Sequence, residues 1–246
     1  MRMEKHECLF VLWQHFPQHK STLMATLTSN PLGPLLDRLF AEADAASPAT
    51  ARAVADLPDA EQDRLMRSRV EYRDLYHRLK DCPLAVTRET GNLLYMLARS
   101  SGARTIVEFG TSFGLSTLHL AAALRDNCGA NGRLITSEFE PSKVARAREN
   151  LAAGDLLDLV EIREGDALQT LSTDLPASID LLVLDGAKAL YGDILDLVEP
   201  RLKPGAFVVA DNADYSPDYL ARVRLPAGGY LSTPFAEDVE LSMWLG

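Results

Sequence analysis

Thr105-Ile-Val-Glu-Phe-Gly-Thr-Ser-Phe-Gly-Leu-Ser116, the run TIVEFGTSFGLS, decides how this chain folds. Residues 105–109 are apolar and β-favouring, too few for a helix, and they stop at Gly110. A helical pattern follows through about Leu124. A buried strand that turns through glycine into a helix is the first half of a βαβ unit. The same alternation recurs downstream. GRLITSE (132–138) reads as a second strand, followed by a helix over Pro141 to Ala153. LVEIREG (159–165) reads as a third. IDLLVLDG (179–186) is a fourth and the most apolar, so it belongs near the centre of the sheet. A helix over about Ala189 to Glu199 comes next, and RLKPG turns into AFVVADN (206–212). Such continuous apolar runs are the mark of parallel strands covered on both faces. Tyr230 to Phe235 and Val239 to Leu245 are joined only by AED, so the sheet ends in an antiparallel hairpin. The fold class is α/β: a doubly wound sheet, mostly parallel, closed by that hairpin and preceded by helices.

Those helices occupy about Asn30 to Ser101. Leu32, Leu35, Leu36, Leu39 and Phe40 recur at helical spacing. Ser47-Pro48 reads as a cap with proline at the first helical position. Pro58-Asp59 opens another helix, with Tyr72, Leu75, Tyr76 and Leu79 on one face. Thr87 can cap a helix containing Leu93, Leu94 and Leu97, and Asp81 to Val86 reads as a loop beside the site. No linker separates the two regions, so residues 24–246 are expected to form one domain, with a helical part over 24–101 and a core over 102–246. Residues 1–23 read as an extension, disordered or started too early. Their His6, Cys8, His15 and His19 are only loosely zinc-like, because a structural zinc needs four well-placed ligands in a compact fold.

The chain has 246 residues, 47% hydrophobic and 24% charged, with a net charge of -10. A surface this acidic repels phosphate backbones, which argues against a nucleic-acid partner. No stretch has the apolar length of a membrane span. Cys8, Cys82 and Cys128 are odd in number and scattered, which fits a reducing cytoplasm better than a disulfide framework.

Open α/β sheets bind ligands beyond the carboxyl ends of their strands. The first strand ends in Glu108-Phe-Gly110-Thr-Ser112-Phe-Gly114-Leu-Ser116. The dinucleotide pattern GxGxxG would need glycine at 112 and 115, where Ser112 and Leu115 stand. A pyrophosphate would gain nothing from the Glu108 carboxylate, whereas a sulfonium with its ammonium would; the glycines could also be turn residues only. The second strand ends in Glu138, about where an acidic residue binds ribose hydroxyls, or a solvated charge, as Glu140 is expected to be. After the third, Asp166 could accept from an adenine amino group, cap a helix, or both. The fourth ends in Asp185-Gly-Ala-Lys188 and the fifth in Asp211-Asn212. If these two strands are neighbours, three hard oxygen ligands converge, a suitable set for Mg²⁺. Lys188, one turn from Asp185, is close enough to serve as a base.

Together, EFGTSFGLST, ITSEFEP, EGDA, LLVLDGAKALY and VVADN resemble the catechol and caffeoyl-coenzyme A O-methyltransferases, class I enzymes that use S-adenosylmethionine. The resemblance covers roughly Asp81 to the C-terminus. It implies a Rossmann-like sheet of seven strands with the last antiparallel. It implies that Glu108 and the Gly110, Ser112 and Gly114 loop hold the methionine part beside Ser116, that Glu138 holds the ribose, and that Asp166 and Ala167 flank the adenine. It further implies that Asp185, Asp211 and Asn212 bind a divalent metal and that Lys188 is the general base. A small acceptor, by default a vicinal dihydroxy-aromatic, and a homodimer are expected on the same grounds. After Asp185 the family often carries an acidic or bulky residue, whereas Gly186 and Ala187 are small; the wall around the adenine edge and the acceptor is not legible there. A nicotinamide oxidoreductase would share the sheet and Glu138 but leaves Asp185, Lys188, Asp211 and Asn212 without a role. A metal-independent or N-directed methyltransferase, or a non-catalytic cofactor-binding protein, would keep the cofactor residues alone.

Overall fold

The computed structural model describes residues 25–236 and 238–246, so the His6, Cys8, His15 and His19 spacing lies outside the described residues. The chain enters through helices α1 (Leu32–Ala53), α2 (Asp59–Met66), α3 (Tyr72–Arg78) and α4 (Arg88–Ser100). It then alternates β1 (Thr105–Phe109), α5 (Leu115–Cys128), β2 (Arg133–Glu138), α6 (Pro141–Ala153), β3 (Val160–Glu164), α7 (Ala167–Thr170), β4 (Ile179–Leu184), α8 (Tyr191–Val198) and β5 (Leu202–Ala210). It closes with α9 (Pro217–Val223), β6 (Tyr230–Phe235) and β7 (Val239–Trp244). The seven strands form one sheet in the order β3-β2-β1-β4-β5-β7-β6. β1 to β5 are parallel, and β7 pairs antiparallel with both β5 and β6. β4 is therefore central and β5 is its neighbour, as the apolar runs require.

Alternation along each strand feeds two cores. Ile106, Leu134, Leu181, Val183 and Val209 face α1, α4, α5 and α6. Val107, Phe109, Ile135, Leu182, Leu184 and Val208 face α8 and α9. The N-terminal helices join the first core directly, since Leu32, Leu36, Leu39 and Leu94 pack with Leu118 and Leu151.

Three local expectations are corrected. Pro48 lies inside α1 rather than at a helix start, and the Ser47 hydroxyl turns back to the Ala43 carbonyl at 3.4 Å instead of capping forward. The helix beginning at Asp59 stops at Met66, and Tyr72 opens a separate one. The Ser68 hydroxyl accepts the backbone N–H groups of Val70 and Glu71 at 3.3 and 2.9 Å, a local bond that competes with helix continuation. RLKPG is not simply a turn before the strand: β5 already pairs at Leu202, and the register shifts before Phe207. Thr87 caps α4 as expected, its side chain accepting from the Thr90 N–H. Among the described residues no helix is long and apolar enough to cross a membrane.

Candidate active site

The carboxyl ends of β1 to β4 surround a pocket of about 610 Å³, counting its open side. Gly110, Ser112, Glu138, Asp166, Ala167 and Asp185 all line it. The loop after β1 gets there through left-handed backbone at Gly110 (φ 103°), Ser112 (φ 47°) and Gly114 (φ 86°). At Gly110 the glycine is required twice over. An added Cβ would stand 2.5 Å from the carbonyl of Asp185 and the nitrogen of Gly186, so a side chain would wedge the β1 loop away from the end of β4.

Glu138 is fixed by the same loop. Its carboxylate accepts the Ser112 N–H at 2.9 Å and the Glu140 N–H at 3.0 Å. Burial raises its pKa against those bonds and the nearby Lys143 ammonium. Asp166 caps α7 as expected, one oxygen accepting the Leu168 N–H at 3.0 Å; the other takes the Arg73 guanidinium at 2.7 Å, a partner not expected, while the side chain faces the pocket.

Glu108 is placed differently. It is fully buried beneath the loop and does not line the pocket. The hydroxyls of Ser116, Thr117 and Thr136 donate to it at 2.6, 2.6 and 2.7 Å. Thr136 reaches it because it is the residue opposite Glu108 in the β1–β2 register. Burial pushes the carboxyl up to about 7, although the three hydroxyls pull the other way. Ser116 also borders a smaller cleft next to the pocket, with Ser112, Leu84 and Val86.

At the ends of β4 and β5, Asp185, Lys188 and Asp211 lie together. The Lys188 ammonium, 4% exposed, meets the Asp185 carboxylate at 2.9 Å. Burial opposes its charge, but Asp185, Tyr191, Tyr76 and Asp211 outweigh burial and hold the lysine well above its usual pKa. Asp211 faces Asp185; burial, then that neighbouring carboxylate, push its carboxyl up to about 7. Asn212 adopts left-handed backbone (φ 46°, ψ 45°) and its amide nitrogen donates to Asp238 at 2.9 Å. The nitrogen is thus committed, and the amide oxygen is the atom left to act as a ligand. The Tyr191 hydroxyl secures the turn by donating to the Asp211 carbonyl at 2.7 Å. The two crowded carboxylates of Asp185 and Asp211 are hard oxygen donors of the kind a divalent cation takes, and such a charge would relieve the repulsion between them. No group of three or more His, Cys, Asp or Glu side chains is arranged as a metal site among the described residues.

Several pocket residues escaped the sequence reading. Glu140, expected to be a solvated charge, is only 8% exposed and pairs with His77 at 3.1 Å. Tyr72 and Tyr76, aromatics at helical spacing that could line the pocket or pack the core, both line the pocket, although Tyr72 also belongs to the second core. Phe139 and Lys143 line it as well. A signal existed for Phe139, an aromatic directly after the ribose-type carboxylate. None existed for Arg73 or Asp238, which arrive from distant parts of the chain.

A methyltransferase domain profile matches residues 107–213, the span that carries these strand ends. A catechol O-methyltransferase from Niastella koreensis is 34% identical over 132 residues, 52% of this chain and 58% of that protein. The chain spans a little under three fifths of the length of the curated catechol O-methyltransferases it matches. Among solved structures, cofactor-bound Rv0187 from MTB is 26% identical with a TM-score of 0.59, covering 89% of this chain and 94% of that one. The O-methyltransferase TomG from Streptomyces achromogenes, in complex with S-adenosylmethionine, is 28% identical with a TM-score of 0.54, covering 76% and 96%. Over about half its length the chain is similar in sequence to catechol O-methyltransferases, and its fold is similar to that of solved O-methyltransferases, one of them in complex with S-adenosylmethionine.

Proposed function

We propose that this protein transfers a methyl group from S-adenosylmethionine to a hydroxyl of a small acceptor, by default one oxygen of a vicinal dihydroxy-aromatic. The observation that carries this reading is the single pocket into which Gly110, Ser112, Glu138, Asp166 and Asp185 converge from four strand ends. Glu138, already positioned by two backbone N–H groups, would bind the ribose hydroxyls, and Asp166 with Ala167 would border the adenine. The loop Gly110 to Gly114, with Ser116 beside it and Glu108 supporting it from below, would hold the methionine part. Asp185, Asp211 and Asn212 would hold a divalent ion. The cofactor supplies an activated methyl group and the ion a positive charge that acidifies a hydroxyl beside it.

The remaining work falls to the chain. Lys188 Nζ is the atom that would take the acceptor proton. Its charge is sustained by Asp185 and Asp211, so it can act as a base only once those carboxylates are neutralised. Tyr76 and Phe139 line the pocket that Asp185 also lines and would limit the access of water to a bound acceptor. A metal-independent version of the same transfer has one observation in its favour: Lys188 already compensates the Asp185 carboxylate.

Calorimetric titration with S-adenosylmethionine in Mg²⁺ and in EDTA, followed by a dihydroxy-aromatic acceptor analogue, tests these readings together. Cofactor binding in both conditions with analogue binding only in Mg²⁺ is the expected result. Analogue binding in EDTA as well would transfer the case to the metal-independent mechanism. No cofactor binding in either condition would overturn the methyl-transfer reading.

A further inference from the structure

The pocket has a wall that its strand ends do not supply. Beyond Asp185 the chain continues with Gly186 and Ala187, and position 186 has no room for a side chain, because a Cβ there would lie 2.5 Å from the Phe109 ring. That side of the pocket is closed instead from α3. The Tyr76 hydroxyl donates to the Gly186 carbonyl at 3.4 Å and approaches the Met66 sulfur at 3.9 Å. The ring lines the same pocket as Gly110, Ser112 and Asp185, and the phenol lies within the fields of Lys188, Asp185, Glu138 and Asp211. Three contacts hold the helix there, two to the segment after β2 and one to the segment after β3. Arg73 pairs with Asp166 at 2.7 Å, His77 with Glu140 at 3.1 Å, and Tyr72 meets Phe139 edge-on with ring centres 6.4 Å apart.

We propose that Tyr76 belongs to the donor site, where its ring forms the wall against the sulfonium and its transferable alkyl group and so limits how large that group can be. The inference rests on the methyl-transfer reading. A tyrosine ring presents a negative face that suits a nearby cation, so it can favour a sulfonium while excluding bulk. The ligand class is an adenosyl sulfonium with a small third substituent.

The test compares S-adenosylmethionine with its S-ethyl analogue by calorimetry on the full chain, for wild type, Tyr76→Phe and Tyr76→Ala. Wild type and Tyr76→Phe should prefer the methyl compound by about tenfold, the discrimination expected when one extra carbon is forced into a packed site. Tyr76→Ala should lose that preference and bind the ethyl analogue at least as well as wild type does. A general loss of packing would weaken both compounds together, so a selective gain for the larger one identifies the wall. If Tyr76→Ala does not fold, Tyr76→Leu, which keeps an apolar filling but shortens the wall, is read in the same way. An unchanged methyl-to-ethyl ratio alongside normal S-adenosylmethionine binding overturns the role of Tyr76 alone. Failure of the wild type to bind S-adenosylmethionine overturns the methyl-transfer reading and this proposal with it.

Discussion

At the scale of single residues, two buried ionisable groups dominate the site, and each has a measurable consequence. Glu108 titrates at about 7 in the folded protein against 4.5 for the free side chain. The folded state therefore binds the proton more tightly. Glu108 contributes stability that is fully present below about pH 4.5 and is lost as pH rises through about 7. The stability of wild type relative to Glu108→Gln should fall by up to about 3 kcal/mol across that range, measured by urea denaturation at several pH values. A flat difference would mean that the three hydroxyls keep the carboxylate ionised throughout. Lys188 is the second case. It sits with Asp185 at 2.9 Å, the two side chains only 5% and 13% exposed. Lys188→Met leaves Asp185 and Asp211 without their counter-charge and should cost about 3 kcal/mol of stability, besides abolishing the proposed base. Adding Asp185→Asn should restore much of that stability but no turnover, which separates the structural effect from the chemical one.

At the scale of elements, the site depends on a loop and a helix that do opposite jobs. The β1 loop must come close to β4, and Gly110 permits it. Gly110→Ala meets both a positive φ and a 2.5 Å approach to the Asp185–Gly186 backbone. It should cost more than about 2 kcal/mol and weaken S-adenosylmethionine binding, as thermal unfolding and calorimetry would show. α3 must stay near the pocket and still let a cofactor pass. Its rim contact Arg73–Asp166 is 56% exposed on the arginine side and 20% on the aspartate side, so water screens it and it is a weak latch. Arg73→Ala should speed S-adenosylhomocysteine release by about fivefold at most. High salt should have the same effect on wild type and little on the variant, as stopped-flow fluorescence would report. Equal release rates in the two proteins would mean that the Arg73–Asp166 pair does not hold α3 closed.

At the scale of the whole molecule, α1 and α4 share a core with α5, α6 and the sheet, so residues 24–246 should unfold as one unit. Calorimetry should show a single transition, and Leu94→Ala, at a fully buried position of α4, should lower it by about 10 °C, following a loss of about 3 kcal/mol. Two separable transitions would make the helical part a domain of its own. The sequence by itself determined the sheet. Short apolar runs ending in Gly110, Glu138 and Asp185, alternating with helical stretches, read as parallel strands whose ends share one side of the sheet, so Glu138, Asp166, Asp185 and Asp211 were legible as a cluster, although β3, which ends before Gly165, proves to be a largely exposed edge strand. Helix breaks were less legible, because a single local bond such as Ser68 to the backbone outweighs a periodic pattern. Only the tertiary structure decided which groups face that cluster from elsewhere: Tyr76 and Arg73 from α3, Lys143 from α6, Asp238 from the turn between β6 and β7, and Glu108 buried under its loop instead of facing the pocket. The reason is physical. Strand periodicity constrains residues two apart in sequence, whereas a pocket is closed by side chains far apart in the chain whose meeting depends on how a helix packs across strand ends.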